Sequence, residues 1–366
     1  MRLKARAPDF IIFLSVILLL TFGIVMVLSA SSVKATYLYN DAFHFFKRQT
    51  MWALLGIAVM IAMMRLDYRR LIPYSKWFII GSFILLIAVL IPGLGKTVSG
   101  STRWLNLGPL AFQPSELIKL AVVIFVAHRL SQSGYKLTNL TKGLSPYLLL
   151  MAAIAGLILL QPDLGTAMAI CGTIYIMLYV AGARKSHMIS LGVIGVILIA
   201  LAAILEPYRM RRITGFLDPW ADPLGTGFHT LQSLFALGSG GLFGSGLGQS
   251  KQKYFYLPEN HTDFLFAILG EELGMLGATF VIVLFFVLVW RGLRVAILCP
   301  DAFGSLLAVG LTCQIALQAI INMGVVTGLL PVTGITLPFL SYGGSSLFFT
   351  LAGVGLLLNI SRFTPR

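Results

Sequence analysis

Charged residues are scarce in this sequence. Only 11% of the 366 residues are charged, whereas 58% are hydrophobic and the mean hydropathy is +0.91. A soluble domain carries about a quarter charged residues, so the composition excludes an ordinary soluble protein. Cysteine is scarce too, because Cys171, Cys299 and Cys313 lie in or beside apolar runs without metal-ligand spacing. We interpret them as small core residues, which argues against a disulfide framework and a cysteine-based metal site.

Acidic residues are the second scarcity, with 13 Asp and Glu against 27 Lys and Arg and a net charge of +14. Such an excess can indicate nucleic-acid binding. Here the loops predicted on the inner side of the membrane are too short to form a binding domain. Most of the charge instead matches the Lys and Arg that membrane proteins keep on the cytoplasmic side. We therefore expect no nucleic-acid partner.

Long apolar runs are abundant. A membrane-spanning helix needs about 20 apolar residues. The first apolar run lacks a small-residue cleavage site, so we expect it to be a retained span and not a signal peptide. The sequence predicts an all-α polytopic membrane protein that forms one transmembrane domain over residues 1–366. The predicted spans, about ten in number, are 10–30, 49–65, 77–93, 114–130, 145–161, 165–183, 187–206, 264–290, 304–324 and 344–361.

The distribution of Lys and Arg predicts the orientation, with both termini in the cytoplasm. The large segment 207–262 then lies outside, between the seventh and eighth helices. Segment 325–343 is interrupted by Pro and Gly yet too apolar for solvent, so we predict a re-entrant segment before the tenth helix. The basic residues assigned to the inside are Arg2, Lys4, Arg6, Arg65, Arg69, Arg70, Lys76, Arg129, Lys136, Lys142, Arg184, Lys185, Arg291, Arg294, Arg362 and Arg366.

Asp263 is the last polar group before an apolar helix begins. Acids are costly in hydrocarbon and mark proton relays, ion paths or substrate contacts, so we expect Asp263 to be central to the activity. Glu271 and Glu272 follow 8 and 9 residues later, about two helical turns inward. Two alternatives are open for this pair: one side chain faces a polar cavity, or both have a structural role.

Four segments together resemble one family. They are RWLNLGPLAFQPSELIK at 103–119, QPDLGT at 161–166, HTDF at 261–264 with GEELG at 270–274, and the Pro- and Gly-rich stretch 322–346. This combination resembles the SEDS family, named for shape, elongation, division and sporulation. The resemblance covers nearly the whole chain. The sequence at 321–326 and 334–339 is more similar to the division and sporulation branch than to the elongation branch.

The resemblance implies a peptidoglycan glycosyltransferase in the bacterial cytoplasmic membrane. Members polymerise lipid II at the outer face, release undecaprenyl pyrophosphate, and work with a class B penicillin-binding protein and other division or sporulation membrane proteins. The family's essential aspartate corresponds to Asp263. A lipid II flippase is the alternative, because a polytopic bundle with intramembrane charges also suits a transporter. The clustering of acids and cations on the predicted outer side favours the enzyme.

The reaction requires a base for the attacking hydroxyl and cations for the departing pyrophosphate. Asp263 is the candidate base, and His261 is either a second base or orients the loop. No organic cofactor is expected, and Mg²⁺ or Mn²⁺ stays open. Ser341 has no adjacent base, so we expect it to line the cavity and not to act as a nucleophile. The substrate-binding candidates are Arg48, Arg103, Glu116, Lys119, Arg212, Gln232, Thr262 and Ser341, and the supporting candidates are Trp104, Arg209, His261, Glu271 and Glu272.

Several of these residues have a structural alternative. Glu116 and Lys119 are three apart on one helix face, so they form either an ordering ion pair or a substrate contact. Trp104 suits an interfacial anchor, and Arg209 suits a lipid headgroup. We predict Asp163 to be a helix N-cap, with substrate or partner contact as its alternative.

Overall fold

The computed structural model describes residues 6–98, 101–107, 110–132, 137, 139 and 143–365. Of the basic residues assigned to the inside, Arg2, Lys4, Lys136, Lys142 and Arg366 lie outside the described residues. The described chain is mainly helical. Its α-helices are α1 Phe10–Tyr39, α2 His44–Arg65, α3 Ser75–Leu90, α4 Pro114–Ser131, α5 Ser145–Leu159, α6 Leu164–Val180, α7 Lys185–Ile204, α8 Pro207–Leu217, α9 Phe228–Gly240, α10 Leu265–Leu298, α11 Ala302–Val326 and α12 Gly344–Ser361.

Every predicted span coincides with one of these helices, which confirms the helical polytopic membrane protein. Within the described residues, 7 helical stretches are long and apolar enough to cross a membrane: α1, α2, α7, α10, α11, α12, and α3 together with the 3₁₀ helix Tyr68–Tyr74 before it. The apolar helices α5 and α6 are shorter. The remaining helix, α4, carries charged residues. The predicted outer segment 207–262 contains two further helices, α8 and α9.

The position of α4 inside the bundle keeps its charged residues away from lipid. This helix packs against α3, α6, α11 and α12, and most of its side chains are buried. By contrast, α7 packs against α6 and α8 and leaves Ile189, Val196 and Leu198 exposed. A helix that is apolar all round and exposed in this way suits contact with lipid. The centre of the bundle therefore lies at α4, α11 and α12, and α7 lies at its edge.

The chain ends meet at one end of the bundle. The Arg6 N–H donates to the Arg362 carbonyl at 2.9 Å, and Arg291 Nε donates to Asp9 Oδ2 at 3.1 Å. Segments predicted to share the inner side are therefore in contact. Which side of the membrane this end faces stays a prediction.

A small antiparallel sheet is an addition to the predicted all-α fold. Its strands are β1 Gly95–Val98, β2 Ser101–Leu107 and β3 Leu110–Phe112, in the order β1-β2-β3. Between Lys96 and Thr97 the register skips Arg103 on the partner strand, so β2 carries a bulge at Arg103. The sheet occupies the link between α3 and α4, and Arg103 and Trp104 lie on its central strand β2.

A break in α10 accounts for the glycine-rich stretch after α9. Gly274 adopts φ +67°, and the backbone N–H groups of Met275 and Gly246 donate to the carbonyls of Gly241 (2.8 Å) and Glu272 (3.0 Å). A Cβ at Gly274 would lie 2.3 Å from the nitrogen of Gly244. The glycines therefore allow two backbone segments to pack directly on each other.

The connection from α11 to α12, residues 327–343, is non-helical. Its apolar side chains Ile335, Leu337, Phe339 and Leu340 are buried. Irregular backbone at membrane depth is tolerated only where protein covers it or it lines a cavity. The predicted break in helical structure is confirmed, and the depth of this segment in the membrane stays a prediction.

Candidate active site

A tight turn before α10 carries Asp263. The N–H groups of Thr262 and Phe264 both donate to the Glu259 carbonyl at 3.2 Å, and Thr262 Oγ1 lies 3.1 Å from Glu259 Oε2. Thr262 thus supports the turn and holds the Glu259 side chain. The Asp263 side chain is half-buried, and among the described residues its carboxylate accepts no hydrogen bond and forms no ion pair within 4.0 Å.

Two arginines from separate elements approach this carboxylate. Arg103 on β2 donates from Nε to the Gln161 carbonyl at 3.0 Å and lies 3.5 Å from Asp163 Oδ2 through Nη1. Arg212 on α8 donates from Nη1 to the Val332 carbonyl at 2.9 Å. Both guanidinium groups interact electrostatically with Asp263. Most of their hydrogen bonds go to neutral groups, and the Asp163 carboxylate lies within ion-pair distance of Arg103.

A missing side chain leaves space between the acid and one cation. Gly334, with φ +79°, faces both groups. A Cβ at this position would lie 3.6 Å from Asp263 Oδ2 and 4.0 Å from Arg103 Nη1. A positive φ favours glycine, and the same glycine keeps the approach to the carboxylate open.

The surroundings bring Asp263 into the range of a physiological base. Burial raises the pKa of Asp263 to about 7, the Glu259 carboxylate adds to the rise, and Arg103 and Arg212 oppose it. Burial disfavours the charged form of an acid, and a second carboxylate does the same. A group with a pKa near the working pH is suited to accept and release a proton.

His261 is buried beside this turn. Burial, with a smaller contribution from Lys34, lowers the pKa of His261 to about 3. Its ring lies against Phe45 and Tyr342, and its backbone carbonyl accepts from the Tyr342 N–H at 2.9 Å. A neutral, weakly basic and packed imidazole matches the loop-orienting alternative and not the base.

The Glu116–Lys119 pair is an internal ion pair. Lys119 Nζ lies 2.7 Å from Glu116 Oε2 and donates to Gln318 Oε1 at 3.0 Å. Both side chains are almost fully buried. Gln318 in turn donates to the Thr336 carbonyl at 3.0 Å. Through Gln318, the pair supports the segment that follows Gly334. Its two charged groups contact each other, and neither forms an ion pair with Asp263.

Glu271 and Glu272 hold the glycine-rich loop. Glu271 accepts from the Lys251 N–H at 2.8 Å and from the Ser250 hydroxyl. Glu272 accepts from the Ser29 hydroxyl at 2.7 Å and pairs with Lys253 at 3.3 Å. Both side chains are buried. Protein donors surround both carboxylates, which matches the structural alternative.

Other candidates take mainly structural positions. Arg209 donates to the carbonyls of Ala202 and Leu159, which ties α8 to α7 and α5. The Ser341 hydroxyl accepts from the Leu337 N–H at 2.9 Å and closes a turn of the α11–α12 connection. Both side chains therefore form hydrogen bonds with backbone groups of the protein.

The remaining candidates lie around the same end of the bundle. Arg48 is exposed on α2 beside the Tyr342 phenol. Gln232 is half-buried on α9, and Trp104 is half-buried on β2 opposite Lys96. Asp163 accepts from the Thr166 N–H at 3.0 Å, so the predicted N-cap of α6 is confirmed, and its second oxygen is the one that faces Arg103.

Sequence reasoning missed Glu259, Asn322 and Lys253. Glu259 could have been found, because it stands four residues before Asp263 in the same polar loop. Asn322 donates to the Asp263 carbonyl, and Lys253 forms the ion pair with Glu272. Those two contacts join residues that are distant in sequence and have no local signal.

A cavity lies next to the Arg103 contacts. It has a volume of about 460 Å³ and is lined by Ser101, Leu159, Leu160, Pro162, Glu206, Tyr208 and Arg209. Pro162 also accepts a hydrogen bond from Arg103 through its carbonyl. Its apolar lining with a few polar groups is typical of ligand sites. Among the described residues, no group of three or more His, Cys, Asp or Glu could hold a metal ion.

Known proteins share this architecture. The family model described as cell cycle protein, for FtsW, RodA and SpoVE, matches residues 9–366. The stage V sporulation protein E of Bacillus subtilis is 50% identical over 364 residues, 100% of both chains. The probable peptidoglycan glycosyltransferase FtsW of Geobacter metallireducens is 45% identical over 96% of this chain and 94% of its own length.

A solved structure agrees. A chain in a study of a peptidoglycan synthase complex that coordinates polymerization and crosslinking aligns with a TM-score of 0.80 and 31% identity, over 97% of this chain and 98% of that one. The family match, the full-length identities and this shared fold agree with the motifs at 103–119, 161–166, 261–274 and 322–346. The chain therefore belongs to the FtsW, RodA and SpoVE family, the SEDS family of membrane proteins.

Proposed function

We propose that this chain is a peptidoglycan glycosyltransferase that polymerises lipid II at the outer face of the bacterial cytoplasmic membrane. The name of the FtsW relative and the synthase complex of the structural neighbour support the reaction class. The identity to the sporulation and FtsW relatives supports the division and sporulation branch. The observation that carries the proposal is the donor-free Asp263 carboxylate, which faces Arg103 across the opening at Gly334.

The chemistry needs one proton acceptor. A sugar hydroxyl attacks the anomeric carbon of a second lipid II, the new C–O glycosidic bond forms, and the bond from that carbon to the pyrophosphate oxygen breaks. Asp263 takes the hydroxyl proton, and undecaprenyl pyrophosphate leaves with the bonding electrons. Because the α-linked pyrophosphate becomes a β-glycoside in one displacement, no covalent nucleophile is required.

The departing pyrophosphate needs positive charge. Arg103 and Arg212 approach from β2 and α8 with guanidinium groups that can bind phosphate in a bidentate manner. Glu259, and not the base itself, could share a Mg²⁺ or Mn²⁺ ion with the substrate phosphates, because magnesium commonly uses one or two carboxylates together with substrate oxygens. Such an ion would neutralise charge on the leaving group.

Sidedness separates this proposal from a flippase. Within the described residues, the buried Asp, Glu, Lys, Arg and His side chains are Glu116, Lys119, Asp163, Lys253, His261, Glu271 and Glu272. By element order they lie in loops or helix ends on the Asp263 side of the bundle. A flippase requires polar groups along a path between both sides, whereas a one-sided cluster suits catalysis at a single face. Partnership with a class B penicillin-binding protein is part of the same proposal.

The test is glycan polymerisation from purified lipid II, with the chain co-purified with a class B penicillin-binding protein. Asp263→Asn is nearly isosteric, and we expect it to reduce the rate by about 10²- to 10⁴-fold. Asp222→Asn is the matched control, because Asp222 is an exposed outer-loop acid that accepts from the Thr226 N–H. We expect this control to keep the full rate.

Two outcomes would contradict the proposal. Polymer from Asp263→Asn at the wild-type rate would remove Asp263 from the chemistry. No polymer from the wild type in a stable complex would reject the glycosyltransferase, and lipid II translocation in vesicles would then test the flippase.

A further inference from the structure

The side-chain amide of Asn322 contacts two backbone carbonyls beside the site. Asn322 lies on α11 and is 1% exposed. Its Nδ2 donates to the Asp263 carbonyl at 2.7 Å and to the Ile335 carbonyl at 2.7 Å. A reversed amide would place Oδ1 against two carbonyl oxygens, so the two contacts determine the orientation.

The Asp263 carbonyl needs this donor. At the start of α10, the Ala267 N–H bonds to the Phe264 carbonyl at 3.0 Å, and Asp263 stands before that bond. A buried carbonyl without a donor is costly, and Asn322 supplies one. Ile335 directly follows Gly334, which faces the Asp263 carboxylate. One side chain therefore ties the peptide that carries the base to the segment that forms the opening.

One polar atom of the Asn322 amide lacks a hydrogen bond among the described residues. Asn322 Oδ1 is buried and has no hydrogen-bond partner among the described residues. An unsatisfied buried polar atom is unfavourable and requires an explanation. The explanation here is that both hydrogens of the amide are used on the two carbonyls, and this placement outweighs the unmet oxygen.

We propose that Asn322 is a positioning residue for glycosyl transfer, which holds the Asp263 carboxylate at the Gly334 opening by bridging the carbonyls of Asp263 and Ile335. The inference rests on the proposed function. Asn322 does not touch the reacting atoms in this arrangement and acts through Asp263. Its loss should therefore change the behaviour of the base and leave substrate affinity nearly unchanged.

Gln318 provides a comparison one helical turn away. It donates to the Thr336 carbonyl at 3.0 Å and so holds the same segment. Among the described residues it has no hydrogen bond to Asp263, and its Oε1 accepts from Lys119. Ser233 provides a second comparison, because its buried hydroxyl donates to the Val326 carbonyl of α11 at 2.7 Å. Asn322→Leu, Gln318→Leu and Ser233→Ala each remove a buried side-chain contact to a backbone carbonyl, and only the first releases Asp263.

The experiment measures kcat, KM and the pH–rate profile of lipid II polymerisation for these variants. For Asn322→Leu we expect kcat to fall about tenfold or more with KM within about twofold. We also expect the acidic limb of the pH–rate profile to move to lower pH by about one unit, because a released Asp263 side chain gains water and is less affected by the Glu259 charge. Arg103, Arg212 and Asp163 are the other charges that face this carboxylate. Gln318→Leu and Ser233→Ala should keep the position of the limb.

Asn322→Ala serves if the leucine variant does not fold. It removes the same two hydrogen bonds with a smaller side chain, so its acidic limb should also move to lower pH. An unmoved limb in a folded Asn322 variant, with the same rate loss as Ser233→Ala, would show a merely structural role and overturn the inference. Absence of polymer from the wild type would instead reject the proposed function and this inference with it.

Discussion

Asp263 and the pair Glu271–Glu272 are acids at the same end of one helix, yet their surroundings are opposite. Hydroxyls, backbone N–H groups and Lys253 surround the two glutamates. Asp263 stands half-buried and without a donor. A carboxylate that accepts several hydrogen bonds is stabilised in its charged form and serves as an anchor. At Asp263, burial and the Glu259 carboxylate disfavour the charged form, so this carboxylate is suited to take up a proton.

The difference shows what makes an acid near the membrane chemical or structural. Neither the residue type nor the depth separates the two regions, because all three acids lie within two to three turns of the α10 start. The supply of donors separates them. The glycine-rich loop folds back on α10 through the break at Gly274 and delivers the donors at 250, 251 and 253. None of these donors forms a hydrogen bond with the Asp263 carboxylate.

The largest expected effect concerns the buried ion pair of Glu272 and Lys253. Glu272→Gln leaves the buried Lys253 charge without its partner, and we expect the free energy of unfolding to fall by about 3–5 kcal/mol, the usual cost of breaking a buried ion pair from one side. Thermal unfolding in detergent measures it. Adding Lys253→Met should restore much of the loss, because the double variant contains no unpaired charge. A single variant as stable as the wild type would break the comparison.

The polymerisation rate should respond to pH through Asp263. The base must be ionised, and the pKa of Asp263 is about 7. The polymerisation rate should therefore be level above pH 7 and fall about tenfold per pH unit below it, to about 100-fold lower at pH 5. A pH–rate profile checks the sign and the midpoint. A rate that stays level down to pH 5 would mean that another group takes the proton.

The same shift predicts an opposite effect on stability. The folded pKa of Asp263 lies above its ordinary value of 3.8, so the folded state binds the proton more tightly than the unfolded chain. Its contribution is most favourable below about pH 4 and is lost as the pH rises to about 7, by no more than about 4 kcal/mol. Asp263→Asn should remove this decline. Unfolding midpoints of both proteins between pH 4 and 8 provide the check, and parallel curves would contradict it.

The sequence predicts the helices better than it predicts the contacts of the buried acids. Apolar runs indicate membrane helices because each run is local, and the Asp163 cap is read from its own helix start. The role of Glu271 depends on Lys251, 20 residues away, and that of Asn322 on a carbonyl 59 residues away. Backbone acceptors have no sequence signal. The short strands at 95–112 were missed for a related reason, since their bulge interrupts the alternation that identifies a strand.

The smallest expected effect separates the charge of Glu271 from its role as a hydrogen-bond acceptor. Glu271 accepts from the Lys251 N–H and the Ser250 hydroxyl and has no ion pair in the described chain. Glu271→Gln keeps an acceptor for the N–H, and its amide can donate to the serine oxygen. We expect a loss of about 1 kcal/mol, and a larger loss for Glu271→Ala, which leaves both donors unpaired. A glutamine variant as unstable as Glu272→Gln would mean that the charge of Glu271, and not its acceptor role, holds the loop.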